Sequence, residues 1–190
     1  MLKKMIAFNL IMLILLTAFV QTKAANDNTE LTLEIIGGNL SVDATSTATF
    51  AGVNFSFTGE NSTGNALGDI TMEDLRGTGA GWTVDITGED WDNGTTTMDY
   101  DGDGSATGQL SLDIPTSGNV SANPNGDDTT GISMGADDSF DSGTDTINFM
   151  TASNGNGSGA YTITGLTAAQ YIPPNQDAGT YNMTLTLTAS

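Results

Sequence analysis

The chain has 190 residues, with 23 acidic side chains against 4 basic ones and with neither histidine nor cysteine. So few cations cannot neutralise a row of phosphates, and an anionic membrane surface repels such a chain, so nucleic acid and membranes are not expected partners. The missing residue types also exclude a Ser-His-Asp triad, a thiol nucleophile and a typical zinc site.

Residues 1–24 have the pattern of an export signal. Two lysines precede an apolar run over residues 5–20, and Ala24 stands at the predicted cleavage position. The run is short for a membrane span of about 20 residues, although an uncleaved anchor is the alternative. We therefore expect a secreted or cell-surface protein that starts after Ala24, with all 23 acids but only Arg76 as a basic side chain.

Beyond the signal, apolar residues recur at every second position, which is typical of strands with one face on a core and one in water. Glycine, asparagine and aspartate separate these runs. The pattern predicts strands over residues 31–36, 50–57, 82–87, 110–114, 161–164 and 181–188, and one helical turn over residues 166–170. We therefore predict an all-β protein, an antiparallel β-sandwich formed as a single domain by residues 25–190.

The stretch from Asp74 to Val84 reads DLRGTGAGWTV, with three glycines between a charged pair and an aromatic strand start. Glycine permits positive φ and close backbone approach, so the spacing predicts a hairpin corner. Arg76 is expected to pair with a carboxylate, and Asp74 and Asp85 are the nearest in sequence. Two interpretations stay open, since Arg76 and Trp82 either contact a ligand or hold the corner together.

This stretch resembles the first conserved segment of WxL-domain proteins, secreted proteins of Gram-positive bacteria that associate non-covalently with the cell wall. Residues 171–181, YIPPNQDAGTY, resemble the family's last segment, where an Ala-Gly-Thr-Tyr turn leads into a terminal strand. The family's first Trp-x-Leu signature reads Trp-Thr-Val here, and the second is absent because Leu187 stands at its tryptophan position. The resemblance implies a non-catalytic, β-rich protein that binds peptidoglycan of the cell wall or other surface proteins, with Trp82, Arg76, Tyr181 and Leu187 at the contact.

Asp99, Asp101 and Asp103 stand at alternate positions and are followed by glycine, as in the first half of an EF-hand calcium loop. That loop ends in a glutamate at its twelfth position, which is Leu110 here, so the stretch is not an EF-hand. A calcium loop and a solvated acidic turn are the two open interpretations, because a Ca²⁺ ion would relieve the repulsion among the carboxylates. Long acidic loops are expected near residues 89–108 and 117–143.

Three functions fit this sequence, and none is an enzyme, because an acidic surface explains the many carboxylates more simply than a glycosidase pair does. The first is the WxL-like surface protein. The second is a structural subunit of an extracellular fibre or surface layer, whose copies self-associate when residues 30–36 or the terminal strand add to a neighbour's sheet edge and Ca²⁺ screens the acids. The third is a carbohydrate-binding module with Trp82, Trp91 and Tyr100 as its aromatic platform.

Overall fold

A computed structural model describes residues 31–44, 47–64, 66–102, 108–123, 128–141 and 146–190. The chain divides into two compact units, Met1–Ile35 and Ile36–Ser190. The predicted signal peptide, residues 1–24, lies outside the described residues, as does Asp103. Within the ranges that are described, no helix is long and apolar enough to cross a membrane.

The described residues are all-β, and every strand pair is antiparallel, which confirms the predicted fold class. The strands are short, as expected for runs that glycine and asparagine interrupt. In chain order they are β1 (Leu40–Ala44), β2 (Glu60–Thr63), β3 (Ile70–Asp74), β4 (Trp82–Gly88), β5 (Trp91–Asp92), β6 (Thr97–Met98), β7 (Gln109–Asp113), β8 (Val120–Ala122), β9 (Ile132–Met134), β10 (Asp138–Ser139), β11 (Ile147–Ala152), β12 (Gly159–Ile163), β13 (Thr167–Ile172) and β14 (Leu185–Ala189). A 3-10 turn, Ser117–Asn119, precedes β8.

These strands form three four-stranded sheets and one ribbon, β5-β6. Sheet I has the order β1-β3-β12-β8, sheet II the order β14-β4-β11-β9, and sheet III the order β10-β7-β13-β2. In sheet II, Trp82 lies opposite Ala152 and Leu187 lies opposite Ile86. The two segments that carry the family resemblance therefore lead into neighbouring strands of one sheet.

The three sheets share one hydrophobic core, and the alternation of each strand decides which residues enter it. In β3, Ile70 and Met72 are buried while Thr71 and Glu73 face solvent. The inward residues of the other strands join them, and the largest fully buried side chains are Phe140 and Phe149. Burial of each large side chain contributes about 1.5–3 kcal/mol, so this core is the main source of stability.

Four predicted elements differ from the structure. The strand predicted over residues 181–188 begins only at Leu185. Residues 31–36 form no strand, and residues 50–57 contribute only one isolated bridge, between Phe50 and Gly64. The helical turn predicted over residues 166–170 is wrong, because this stretch belongs to β13. There β7 pairs along one side and β2 along the other, and these ladders override the helical preference of two alanines.

The two acidic stretches contain more regular structure than their composition indicates. Residues 89–108 hold the β5-β6 ribbon, and residues 117–143 hold the 3-10 turn with β8, β9 and β10. Sequence reasoning also missed β11, an inner strand of sheet II that pairs with β4 on one side and, over its last three residues, with β9 on the other.

A substitution at Gly81 tests how closely the backbone is packed at the corner before β4. Its φ is +74°, and an added Cβ would lie 2.5 Å from the carbonyl oxygen of Ala152. We expect Gly81→Ala to lower the free energy of unfolding by about 2–3 kcal/mol, through backbone strain and this close contact. At Gly52 an added Cβ has nothing within 4 Å, so Gly52→Ala is the matched control. Urea denaturation measures both, and equal stabilities of the two variants would contradict the account.

Candidate functional site

Asp74 and Arg76 form an ion pair at the corner between β3 and β4. Arg76 Nε and Nη2 donate to the two carboxylate oxygens of Asp74 at 2.9 and 3.0 Å, and the Arg76 backbone N–H donates to Oδ1 at 3.1 Å. Nη2 also donates to the carbonyl oxygen of Gly81 at 2.7 Å. The guanidinium thus spans the corner from the end of β3 to the residue before Trp82.

Burial of the Asp74 carboxylate makes this pair necessary. The Asp74 side chain has 0% of its surface exposed, whereas the Arg76 side chain keeps 27%. Hydrogen bonds from Arg76 hold the pKa of the Asp74 carboxyl below its usual range, although burial acts in the opposite direction. The hydrogen bond to Asp74 in turn raises the pKa of the Arg76 guanidinium. These contacts use Nε and Nη2 of the guanidinium, so a ligand that binds Arg76 without displacing Asp74 or Gly81 would have to accept from Nη1.

Trp82 is part of the core. Its side chain is 4% exposed, and its indole N–H donates to the carbonyl oxygen of Gly157 at 2.8 Å. The ring is tilted at 53° against the ring of Tyr161, with 6.2 Å between their centroids. Both the apolar ring and its polar group are therefore satisfied inside the protein.

Tyr181 is half-buried and holds the chain before β14 against the ribbon. Its hydroxyl donates to the carbonyl oxygen of Asp177 at 2.9 Å, accepts from Gln176 Nε2 at 2.8 Å and lies 3.0 Å from Thr96 Oγ1. Asn182 and Asp92 exchange backbone hydrogen bonds at 2.8 and 2.9 Å beside it. These contacts fix the end of the second family-like segment.

Leu187 is half-buried and packs on the core from β14. Trp82 and Leu187 lie in adjacent strands but are not neighbours, because the last residue, Ser190, exchanges backbone hydrogen bonds with Thr83. The outward face of these two strands is instead lined by short polar side chains, namely Thr83, Asp85, Thr87, Thr186 and Thr188. We call this set the threonine face.

The acidic loop is folded around its first aspartate. Asp99 Oδ1 accepts from the backbone N–H of Asp101 at 3.0 Å and of Gly102 at 3.3 Å, and Asp101 forms a bridge with Gln109. Asp103, the third predicted ligand, lies outside the described residues. In the described ranges no three acidic side chains are grouped so as to hold a metal ion. Calcium binding at this loop stays a prediction.

The aromatic residues considered for a sugar platform are buried. Trp91 is 8% exposed, and its indole N–H donates to Gln170 Oε1 at 2.8 Å. Tyr100 is equally buried and packs against Phe140, with ring centroids 5.1 Å apart. Gln170, which no sequence signal had singled out, is a fully buried polar residue that also donates to the carbonyl oxygen of Tyr171 at 2.8 Å.

Two segments expose the apolar side chains that a core would normally cover. The N-terminal segment, Leu31–Ile36, has Leu31, Leu33 and Ile35 between 85% and 90% exposed. The aromatic segment, residues 51–58, has Phe55 and Phe57 at 55% and 78%. Of the nine large hydrophobic residues that are exposed in the described ranges, seven belong to these two segments and the others are Leu75 and Tyr171. Exposed apolar patches of this kind mark interaction surfaces.

Comparison of the chain with protein-family models, with curated proteins and with solved structures finds no match in any of the three.

The Asp74–Arg76 pair predicts a specific pH dependence. Because the folded-state pKa of Asp74 is lowered, its charge stabilises the fold above the unfolded-state pKa of about 3.9, and this contribution disappears as the pH falls through the folded-state value. We expect Asp74→Asn to lower Tm at pH 7 by about 5–10 °C, and this difference from the parent to shrink below about pH 4.

Glu73→Gln is the control, since it removes one charge from an exposed neighbour on the same strand. Calorimetry from pH 3 to pH 7 measures all three proteins. If the difference in Tm between Asp74→Asn and the parent stays constant over that pH range, the charge of Asp74 is not the cause of the lower Tm.

Proposed function

We propose that the protein is a secreted, non-catalytic structural subunit of a surface fibre or layer, whose copies join by strand addition. The observation that supports this most is the N-terminal segment. Its apolar residues alternate as in a strand, yet they lie in solvent and belong to no strand of the described residues. Such a segment gains stability when its backbone groups are paired and its apolar side is covered.

Sheet edges provide both requirements. Each four-stranded sheet has two outer strands, namely β1 and β8, β14 and β9, and β10 and β2, and the aromatic segment already donates one backbone hydrogen bond to β2. An edge strand presents unpaired N–H and C=O groups to an incoming segment, and this is the basis of strand addition between proteins. Covering the side chains of Leu31, Leu33 and Ile35 contributes about 1.5–3 kcal/mol each, before the cost of ordering the segment is subtracted.

The acidic surface sets the conditions for assembly. After removal of the predicted signal, copies with one arginine against 23 acidic residues would repel each other, and at physiological ionic strength this repulsion acts over about 8 Å. The N-terminal segment has Glu34 as its sole charged residue, so it brings little further repulsion into a contact. Salt or Ca²⁺ then favours assembly by screening, whether or not the Asp99 loop holds a calcium ion.

Removing the apolar side chains of the N-terminal segment tests this proposal. We expect Leu33→Ser with Ile35→Ser to weaken self-association by at least about tenfold at every salt concentration, because two cross-strand apolar contacts are lost. Sedimentation velocity over a range of protein and NaCl concentrations measures the effect on the protein purified as the cell processes it, with its N-terminus checked by mass spectrometry.

Leu75→Ser is the matched control, because Leu75 is 54% exposed but lies outside both apolar segments. It should associate like the parent. A parent protein that remains monomeric at high salt and high concentration would refute assembly by strand addition.

The threonine face supports a second candidate, which is non-covalent association with the cell wall or with a surface partner. Both family-like segments lead into β4 and β14, and the outward side of this strand pair offers hydroxyl groups that can donate to and accept from sugars. Asp85 is the sole charged residue in that set, and it accepts a hydrogen bond from Asn148 at 3.1 Å. A wall contact through these residues leaves Trp82 and Leu187 in their core positions.

Thr186→Glu with Thr188→Glu tests the wall contact. Both side chains are exposed, so the fold should tolerate the change while two carboxylates repel anionic wall polymers. We expect the amount that co-sediments with isolated cell walls to fall severalfold, both with and without millimolar Ca²⁺. Thr71→Glu with Ser121→Glu places the same charge on the exposed face of sheet I and should leave binding unchanged. Equal losses in both variants would mean that net charge, and not the threonine face, controls binding.

A further inference from the structure

The aromatic segment is a fixed part of the surface. At one end, the Ala51 N–H donates to the Thr63 carbonyl oxygen at 3.2 Å, beside the bridge between Phe50 and Gly64. At the other end, the Ser56 carbonyl oxygen accepts from the Asn175 N–H at 2.9 Å. The segment therefore runs along the outer side of β2, the edge strand of sheet III, and is held at both ends.

The apolar side chains of this segment alternate and lie open to solvent. Val53 is 40% exposed, and the rings of Phe55 and Phe57 contact each other edge to face, with centroids 5.2 Å apart. Phe50, at the start of the same run, instead packs its ring against Trp91 in the core. No residue from 51 to 58 carries a charge, in a chain that is otherwise strongly acidic. The result is a neutral, apolar strip at a sheet edge.

We propose that this strip is the acceptor for the N-terminal segment of a second copy, which rests on the assembly function proposed above. The requirements of the two segments match. The strip exposes apolar side chains beside a sheet edge, and the N-terminal segment is the described stretch with exposed leucine and isoleucine at alternate positions. Aromatic side chains opposite leucine and isoleucine are among the stabilising cross-strand pairs.

The proposed contact places few charges against each other. A cationic partner would be drawn to the acidic parts of the surface and not to a neutral strip. A second copy can approach at this place because both contacting segments are nearly uncharged, with Glu34 as the one exception. The donor and acceptor are different surfaces, so the contact is heterologous and can propagate into a chain of copies.

Docking within a single copy is the competing arrangement, and a two-residue hairpin turn at Gly37 and Gly38 would be the shortest route to it. A two-residue hairpin turn needs positive φ at one or both central residues, and neither Gly37 nor Gly38 has it. Instead, the Gly38 N–H donates to the Leu75 carbonyl oxygen at 2.6 Å, and an added Cβ at Gly37 would collide with the Arg76 carbonyl oxygen. These contacts continue the pairing of β1 with the end of β3.

A complementation experiment tests the pairing directly. The acceptor variant carries Phe55→Ser with Phe57→Ser, and the donor variant carries Leu33→Ser with Ile35→Ser. Each should be monomeric in sedimentation velocity under conditions where the parent associates. An equimolar mixture should form one-to-one heterodimers, because one copy keeps the donor and the other keeps the acceptor. Circular dichroism melts check that both variants are folded, and Leu75→Ser should associate like the parent.

The outcomes separate this inference from the function on which it rests. If the donor variant is monomeric while the acceptor variant associates like the parent, the strip is not the acceptor, although strand addition stands. If both variants associate like the parent, the N-terminal segment is not the donor and both proposals fail. A mixture that stays monomeric overturns the pairing of these two segments.

A disulfide trap provides an independent readout, since the chain has no cysteine. A mixture of Leu33→Cys and Phe57→Cys should form a mixed disulfide between copies under mild oxidation, faster than a mixture of Leu33→Cys and Leu75→Cys. Equal rates in the two mixtures would overturn the proposal. A double Leu33→Cys, Phe57→Cys variant distinguishes contacts between copies from contacts within one chain. If its disulfide forms within single chains at a rate that does not depend on protein concentration, the donor lies on the strip of its own chain. That result would overturn the proposed contact between copies.

Discussion

The fold depends on hydrogen bonds and an opposite charge for one buried carboxylate, that of Asp74. Asp74 ends β3, where it lies opposite Leu40 of β1 and Gly159 of β12, so it is enclosed between two strands of sheet I. A carboxylate without a partner in such a place would be strongly destabilising. Arg76, the one basic side chain after Lys23, supplies two charge-assisted hydrogen bonds and passes the contact on to Gly81, next to the start of β4. The Arg76 guanidinium therefore neutralises the carboxylate at the end of β3 in sheet I. Through its contact with Gly81, it also sets where β4 of sheet II begins.

The use of the sole arginine at this corner constrains the rest of the surface. Arg76 is the one basic side chain after Lys23, so carboxylates far outnumber cations over the rest of the chain, and water is the most favourable surrounding for most of them. A contact with another macromolecule is then least costly where charges are few. The N-terminal segment, the aromatic segment and the threonine face share this property, and they are where the two functional proposals are placed.

Period-two alternation was sufficient to predict the all-β fold and the strand that starts at Trp82, because the inward positions of such strands are large and apolar. It failed at residues 31–36 and 50–57, where the same alternation faces solvent, since a pattern shows that one side needs a cover but not which surface provides it. It also missed β13, because Ala168 and Gln170 are buried there without being large and apolar.

The pairing of Arg76 was predictable from its isolation in an acidic chain. The burial of Trp82 was not, because its indole partner, the carbonyl oxygen of Gly157, is 75 residues away.

The N-terminal segment has no part in the core that the structure describes. Phe140, Phe149, Ile86 and Met72 are fully buried, and the hydrophobic cluster around them includes no residue from 31 to 36. Leu31, Leu33 and Ile35 are 85–90% exposed, and exposure of such large aliphatic side chains to water carries a hydration cost. The aromatic segment presents the same imbalance at an edge of sheet III. The proposed contact between copies would remove both costs at once, and the charge on the remaining surface would limit how readily it forms.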